Sequence, residues 1–185
     1  MSPVSPVSRL YRTAAPASSS AHLRRTFGWL TLVWTLALVL LPATARAAEV
    51  RVGVRRRALP GGRPLGAAVL LAASALGLRS AVAMARGEGT PVPFESAALL
   101  VDSGPYARIR NPMAVSGVSQ AAGVALLVGS PTYYLVPPAG ALLWHLVIRP
   151  SEERFLERTF GEPYREYRRH VPLWVPRCAH RRLRR

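Results

Sequence analysis

Two short polar segments carry the residue types that could do chemistry in this chain. The first, residues 104–112, reads GPYARIRNP and contains two arginines, a tyrosine and an asparagine. The second, residues 149–172, begins with Arg149 and contains the adjacent glutamates Glu152 and Glu153. Carboxylates accept hydrogen bonds from ammonium groups and hydroxyls, and arginine pairs with anionic groups. Together the two segments could bind a ligand that carries both cationic and anionic groups.

No other catalytic set competes with these segments. The sequence shows no Ser-His-Asp set, and no Cys, His, Asp and Glu residues have the spacing of a metal site, so no metal ligand is predicted. The single cysteine, Cys178, cannot form an intrachain disulfide. His145 stands alone in an apolar stretch, where a packed or helix-bonded histidine is more common than a ligand.

The chain between the two polar segments predicts a membrane hairpin. Residues 111–148 form a run of thirty-eight residues without a formal charge, which is long enough for two helices to cross a bilayer. The middle of the run, GSPT at residues 129–132, is typical of a tight turn. Pro137 and Pro138 are expected to kink the second helix or delay its start.

Two further apolar segments precede the hairpin. Residues 26–45 carry no formal charge, and residues 64–85 carry only Arg79, near the end of the segment, where a long side chain can reach the interface. The first apolar segment, followed by ATARAA, also resembles a secretory signal peptide with a small-residue cleavage site. An uncleaved helix and a signal peptide therefore both stay open. Residues 1–25, rich in Ser, Pro and Ala, are predicted to be a disordered basic N-terminus.

The arginines predict the orientation and the partners of the chain. Four spans place residues 1–25, residues 86–110 and the C-terminal segment on one side with 18 arginines, against six in residues 46–63. The richer side is expected to be cytoplasmic, at a bacterial inner membrane. The net charge of +16 comes from arginines that border membrane segments. This pattern favours anionic lipids as partners and not nucleic acid.

Beyond the hairpin the chain becomes water-soluble in character. Ser151 is a candidate N-cap, and apolar residues then recur three or four positions apart, which predicts an amphipathic helix that Gly161 and Pro163 divide. The predicted fold is all-α. It comprises about four transmembrane helices, including a tight C-terminal helical hairpin, followed by a cytoplasmic amphipathic helix and a basic tail over residues 177–185.

In their order and spacing, the polar motifs resemble the membrane methyltransferases that include isoprenylcysteine carboxyl methyltransferase and phospholipid N-methyltransferases. That family has a Gly-x-Tyr, an Arg-His/Asn-Pro at the start of a helix, a Glu pair after a helical hairpin, and then Phe-Gly-x-x-Tyr-x-x-Tyr and Val-Pro. The resemblance covers residues 86–176, the predicted methyltransferase-like core. The matching residues are Gly104, Tyr106, Arg110, Asn111, Pro112, Glu152, Glu153, Phe160, Gly161, Tyr164, Tyr167, Val171 and Pro172.

The resemblance implies methyl transfer from S-adenosylmethionine to a membrane-borne, lipid-like or small acceptor. It implies that Glu152 and Glu153 bind this cofactor and that Arg149 faces the substrate. The other cofactor-binding candidates are Gly104, Tyr106, Arg110, Asn111 and Pro112.

Other interpretations stay open beside this one. Without the family, the Glu pair would be partners of a helix dipole and the arginines would be interface anchors. The chain has Ala114 and Ser116 where the family has Tyr and Gly, which implies either a changed substrate pocket or a non-catalytic basic membrane protein derived from the family. A membrane reductase that binds a nicotinamide cofactor is the remaining alternative.

Overall fold

The computed structural model describes residues 12–13, 19–87 and 95–176. Seven α-helices, two π-helical segments and two 3₁₀ turns account for most of them. A parallel pairing of β1 (Arg12–Thr13) with β2 (Glu95–Ser96) is the one strand contact among the described residues, so the predicted all-α class is confirmed. The α-helices are α1 (Ser19–Trp34), α2 (Leu41–Arg51), α3 (Gly62–Arg86), α4 (Pro112–Val128), α5 (Val136–Leu143), α6 (Arg149–Phe160) and α7 (Glu162–His170).

Two helices are long and apolar enough to cross a membrane. Phe27–Arg51 runs through the end of α1, a π-helical segment at Thr35–Leu40 and α2, and Gly62–Arg86 is the whole of α3. Each has 25 residues, which corresponds to about 37 Å. α4 is a shorter apolar helix of 17 residues. The four-span topology and the membrane hairpin therefore stay predictions.

The helices bury polar side chains and expose leucines, which is the reverse of a water-soluble protein. Leu71 is 72% exposed and Leu135 is 67% exposed, whereas Ser80, Ser116 and Gln120 are at most 2% exposed. Small and polar residues inside a bundle, with leucines outside, are what helices in lipid require, because hydrocarbon solvates leucine as well as a protein interior does. This pattern supports membrane association.

The closest helix packing joins α3 to α4. A Cβ atom on Gly66 would lie 2.6 Å from the carbonyl oxygen of Gly123, so at this crossing only glycine lets the two backbones approach. Farther along, the Ser116 hydroxyl donates to the Ala73 carbonyl at 2.7 Å, and the Gln120 amide donates to Ser74 at 3.0 Å. These contacts fix the rotation of α4 and therefore the direction in which its first residues point.

The first apolar segment packs against the turn after α4. The Tyr133 hydroxyl donates to the Ala37 carbonyl at 2.7 Å, and Tyr133 is completely buried. Because Ala37 lies within residues 26–45, this contact joins the first apolar segment to the turn after α4, and both the uncleaved helix and the signal peptide stay open. α1 begins at Ser19, so the last residues of the predicted disordered segment 1–25 are helical, whereas residues 1–11 and 14–18 lie outside the described residues.

The amphipathic helix does not start where the sequence predicts, but it is divided where the sequence predicts. The helix that contains α5 continues through a π-helical segment at Trp144–Ile148 into α6 without a break, since the residues at both joints have right-handed helical angles. Ser151 is therefore not an N-cap, and its hydroxyl donates to the Val147 carbonyl at 3.3 Å. The predicted break is confirmed, because Gly161 has φ 62° and separates α6 from α7. The basic tail 177–185 lies outside the described residues.

Candidate active site

A cavity lies at the N-terminal end of α4, with an empty volume of about 610 Å³ that includes its opening to solvent. The wall is formed by the end of α3, by residues 97–101, by residues 106–111 just before α4, by the π-helical residue Trp144, by α6 and α7, and by Leu173. The polar lining residues are Tyr106, Arg110, Asn111, Arg149, Glu152, Glu153, Tyr164 and Tyr167, and the apolar ones are Met84, Ala97, Leu99, Leu100, Val101, Trp144, Leu156, Phe160 and Leu173.

Glu153 holds two arginines side by side in this cavity. Arg110 donates from Nη1 to one carboxylate oxygen at 2.7 Å, and Arg149 donates from Nη1 to the other at 3.1 Å. The side chains of Arg110 and Glu153 are only 15% and 16% exposed. Arg110 Nε is buried without a hydrogen-bond partner, so this guanidinium retains an unused donor.

Glu152 is held by the residue that caps α4. The Asn111 side-chain oxygen accepts from the backbone N–H of Ala114 at 3.0 Å, which caps the helix. Pro112 follows in the first turn, where its missing N–H has no partner to lose. The Asn111 amide also donates to Glu152 Oε2 at 3.0 Å. Burial, reinforced by the charge of Glu153, raises the pKa of Glu152 to about 7 against the opposing effect of the Asn111 hydrogen bond.

Three tyrosines surround the carboxylates. Burial raises the pKa of Tyr106, Tyr164 and Tyr167 above the usual value. The Tyr167 hydroxyl donates to the Tyr106 carbonyl at 2.8 Å. The backbone N–H of Arg110 donates to the Pro172 carbonyl at 2.9 Å. The chain after α6 therefore folds back over residues 104–112 and joins the two polar segments into one site.

The π-helical segment positions Arg149. The His145 carbonyl accepts from Arg149 Nε at 3.2 Å, and this contact supports the arginine while Nη1 reaches Glu153. The Trp174 indole donates to His145 Nδ1 at 3.2 Å, so His145 is a packed histidine, as predicted. Since the helix is continuous through Trp144–Ile148, the Glu pair does not lie at a free helix N-terminus, and the helix-dipole interpretation loses its basis.

The structure brings most of the predicted site residues together. Tyr106, Arg110, Asn111, Arg149, Glu152 and Glu153 all line the cavity. Gly104 and Pro112 do not. Gly104, with φ 59°, makes the turn that carries Tyr106, and Pro112 is buried at the start of α4.

The expectation that Ala114 and Ser116 shape the substrate pocket is wrong. Neither residue lines the cavity. Ser116 points at α3, where its hydroxyl lies 2.6 Å from the position that a Cβ on Gly77 would take. The packing of α4 on α3 turns Ser116 away from the carboxylates.

Sequence reasoning missed the apolar wall of the cavity. Met84 lies in the last turn of α3, Leu99 and Val101 lie in the loop before the Gly104 turn, and Trp144 lies in the π-helical segment. A run reading SAALLV at residues 96–101 is the one sequence signal, because an apolar stretch inside a polar loop needs a surface to cover.

Comparison with known proteins assigns the chain to a family. A family model for phospholipid methyltransferases matches residues 64–163, more than half of the chain. The chain belongs to this family. Its members are membrane methyltransferases, isoprenylcysteine carboxyl methyltransferases among them, and generally use S-adenosylmethionine. No curated protein and no solved structure matches the chain.

The matched region shows which elements belong to the family unit. It starts in the first turn of α3 and ends in the first turn of α7, so it includes α3 as well as both polar motifs. The resemblance seen in the sequence is thereby confirmed, and the family assignment does not favour the reductase or the non-catalytic alternative.

Proposed function

We propose that this chain transfers a methyl group from S-adenosylmethionine to a membrane-borne, lipid-like acceptor. One observation carries the proposal. A single cavity contains a carboxylate suited to a cation and two arginines suited to an anion, and it has an apolar wall that begins at the end of a candidate membrane helix. The family assignment gives the reaction class.

The donors and acceptors of the cavity fit the polar groups of S-adenosylmethionine. Glu152, whose one described donor is Asn111, can accept from the ammonium group or from a ribose hydroxyl. Arg110 has a buried Nε without a partner, which can donate to the carboxylate of the cofactor. Tyr106 is buried in the cavity wall and can cover an uncharged part of the ligand.

Glu153 has a different role from Glu152 in this proposal. Both of its oxygens already accept from Arg110 and Arg149. It therefore positions the two arginines, so that Arg110 faces the cofactor and Arg149 faces the acceptor.

Methyl transfer requires that the protein align the acceptor with the methyl group of the cofactor and exclude water from both. The cofactor supplies a methyl group on a sulfonium sulfur, which a nucleophilic oxygen, nitrogen or sulfur of the acceptor displaces in line. The apolar residues Leu99, Val101 and Leu173 keep this region dry, and the polar residues fix the ligand at one end, which together favour such a displacement.

The acceptor side of the cavity is the apolar wall. Met84 lies in the last turn of α3, and Trp144 lies in the π-helical segment that also lines the cavity. An apolar acceptor in the bilayer can reach such a wall laterally. The excess of arginines on the same side as the cavity, 18 against six, supports a cytoplasmic site in a bacterial inner membrane.

Label transfer in isolated membranes tests the proposal. Membranes that contain the chain are incubated with methyl-labelled S-adenosylmethionine, and lipids are extracted and counted. We expect label in the lipid fraction from the wild type and a loss of tenfold or more in Glu152→Gln. Glu162→Gln, which changes an exposed glutamate outside the cavity, is the matched control and should match the wild type. Absence of wild-type labelling, or equal labelling in Glu152→Gln, would contradict the proposal.

A further inference from the structure

A groove lies behind the turn that carries Tyr106. Two neighbouring depressions, open spaces of about 600 and 970 Å³, share Arg79, Gly104 and Pro105 in their walls. We refer to them together as the arginine groove. The remaining residues of its wall are Leu76, Leu78, Val82, Ala83, Ala107, Arg108, Ile109 and Pro176.

Arg79 is an unusual residue for the position it takes. It is the one charged residue between Arg63 and Arg86 in α3, a helix long and apolar enough to cross a membrane. Seven residues separate it from the end of α3, so it lies about 10 Å along the axis from that end. At that depth the long Arg79 side chain can reach the interface, where an anionic partner favours its charge.

The protein provides no such partner among the residues that the structure describes. Neither the Arg79 nor the Arg108 guanidinium has a hydrogen bond or an ion pair there, and no acidic side chain lines the groove. Both arginines are exposed. Leu78 and Val82, beside Arg79 on the same helix face, are 39% and 37% exposed. The groove therefore combines two unpaired cations with an apolar surface.

We propose that the arginine groove binds an anionic membrane phospholipid, whose phosphate pairs with Arg79 and Arg108 and whose acyl chain covers Leu78 and Val82. A phosphodiester is the anion that a bilayer presents near this depth, and arginine binds phosphate with several donors at once. The apolar wall distinguishes a lipid from a free anion, since a soluble phosphate would gain nothing from it.

This lipid is not the methyl acceptor. The 3₁₀ turn Gly104–Ala107 separates the two spaces, with Tyr106 lining the candidate active-site cavity while Gly104 and Pro105 line the groove. Lipid in the groove braces this turn from behind and thereby holds Tyr106 in place. The inference requires α3 to lie in a membrane but does not depend on methyl transfer.

Lipid titration followed by native mass spectrometry tests the proposal on the detergent-purified full chain. Phosphatidylglycerol should bind the wild type more tightly than phosphatidylcholine, whose choline repels the arginines. Its affinity should fall tenfold or more in the double variant Arg79→Gln, Arg108→Gln. The double variant Arg51→Gln, Arg63→Gln removes two exposed arginines far from the groove and should stay within twofold of the wild type. Lysine at positions 79 and 108 should retain most of the affinity.

Three results of this lipid titration would overturn the proposal. One is an equal loss in the control pair, which would show a general charge effect. Another is unchanged affinity in the groove variant. The third is displacement of the lipid by millimolar inorganic phosphate, which would show a soluble-anion site. A photoactivatable phosphatidylglycerol gives an answer without mutation, since in the wild type it should label peptides that contain residues 76–83 or 104–109, and labelling confined to other peptides would contradict the assignment.

Discussion

A buried glutamate lies near the C-terminal end of α4 and a half-buried glutamate lies near its N-terminal end, and the two have different surroundings. Beyond the C-terminal end, Glu49 is 3% exposed and accepts from the Ser130 hydroxyl at 2.6 Å, from the Thr132 N–H at 2.8 Å and from Arg46 at 3.2 Å. At the N-terminal end, Asn111 is the one donor to Glu152 among the described residues, and Glu152 lines the candidate active-site cavity. Glu49 has donors on both oxygens and lines none of the cavities described above. Glu152 can accept further hydrogen bonds from a ligand.

The comparison shows that a buried carboxylate is not by itself the sign of a binding site. Glu49 ties the end of α2 to the turn at residues 129–132, and both of its carboxylate oxygens accept from protein donors. The opposite end retains an unpaired Arg110 Nε and a Glu152 whose pKa is raised. Polar groups with unused donors or acceptors next to a cavity indicate a binding site, whereas a fully hydrogen-bonded carboxylate indicates a structural contact.

The sharpest test of the comparison is whether the two ends lie on opposite sides of a membrane. In a Cys178→Ser background, a cysteine at Pro131 should react with an impermeant reagent in intact cells, and a cysteine at Phe160 should react only after the cells are opened. The difference should be nearly all or none, because the Arg count predicts that the second end lies in the cytoplasm. Labelling of both positions in intact cells would contradict the predicted topology.

Removal of the Glu49 carboxylate should damage the fold and not the site. Glu49→Ala leaves Ser130, Thr132 and Arg46 without their shared acceptor, so the thermal midpoint in detergent should fall by about 5 °C or more. S-adenosylmethionine affinity, measured below that midpoint, should stay within about twofold of the wild type. Glu166→Ala changes an exposed glutamate and serves as the control, with a shift near zero. A loss of ligand affinity at full stability would assign Glu49 to the site.

The raised pKa of Glu152 predicts a pH dependence that Glu49 should not share. In the free protein Glu152 is protonated below about pH 7, because burial and Glu153 favour its neutral form. A cationic ligand needs the anion. Affinity for S-adenosylmethionine should therefore rise by up to about tenfold per pH unit below 7 and level off above it. Because the ammonium group of the ligand also titrates, Glu152→Gln is measured in parallel, and an equal pH profile in both proteins would exclude Glu152 as the acceptor.

The smallest effect is expected at the positions where the chain departs from the family pattern. Ser116→Gly removes the hydrogen bond to the Ala73 carbonyl, which costs about 0.5–1.5 kcal/mol of stability. Ala114→Tyr should leave S-adenosylmethionine affinity within about threefold, since neither residue lines the cavity. The two changes are compared with the wild type by thermal unfolding and by calorimetry. A tenfold change in affinity from Ala114→Tyr would show that α4 is rotated differently.

The polar half of the site could be predicted from the sequence for a physical reason. Arg110 and Arg149 flank a run without charge that is long enough for two antiparallel helices, and Glu153 follows one turn after Arg149, so a hairpin would bring Arg110 close to Glu153. The hydrogen bond between them at 2.7 Å is the outcome. That these residues bind a cofactor remains a prediction, and the same holds for the four-span count.

The rest of the site depends on packing that the sequence does not reveal. The rotation of α4 follows from the close approach at Gly66 and Gly123 and from the Ser116 contact, so the direction of Ala114 could not be read from its spacing. The π-helical segment at Trp144–Ile148 has no signature in its apolar residues. This segment makes the helix continuous through Ser151, which the sequence pattern predicts to be the N-cap of the amphipathic helix.

Calorimetry of the purified chain with S-adenosylmethionine tests the central claim most directly. The wild type should bind one molecule of this ligand and should give no heat with a nicotinamide cofactor. Glu152→Gln should weaken binding by about tenfold to a hundredfold, the effect of losing one charge-assisted hydrogen bond of roughly 1.5–3 kcal/mol, while the thermal midpoint of the free protein stays near that of the wild type. No binding by the wild type, or binding of the nicotinamide cofactor in its place, would contradict the account.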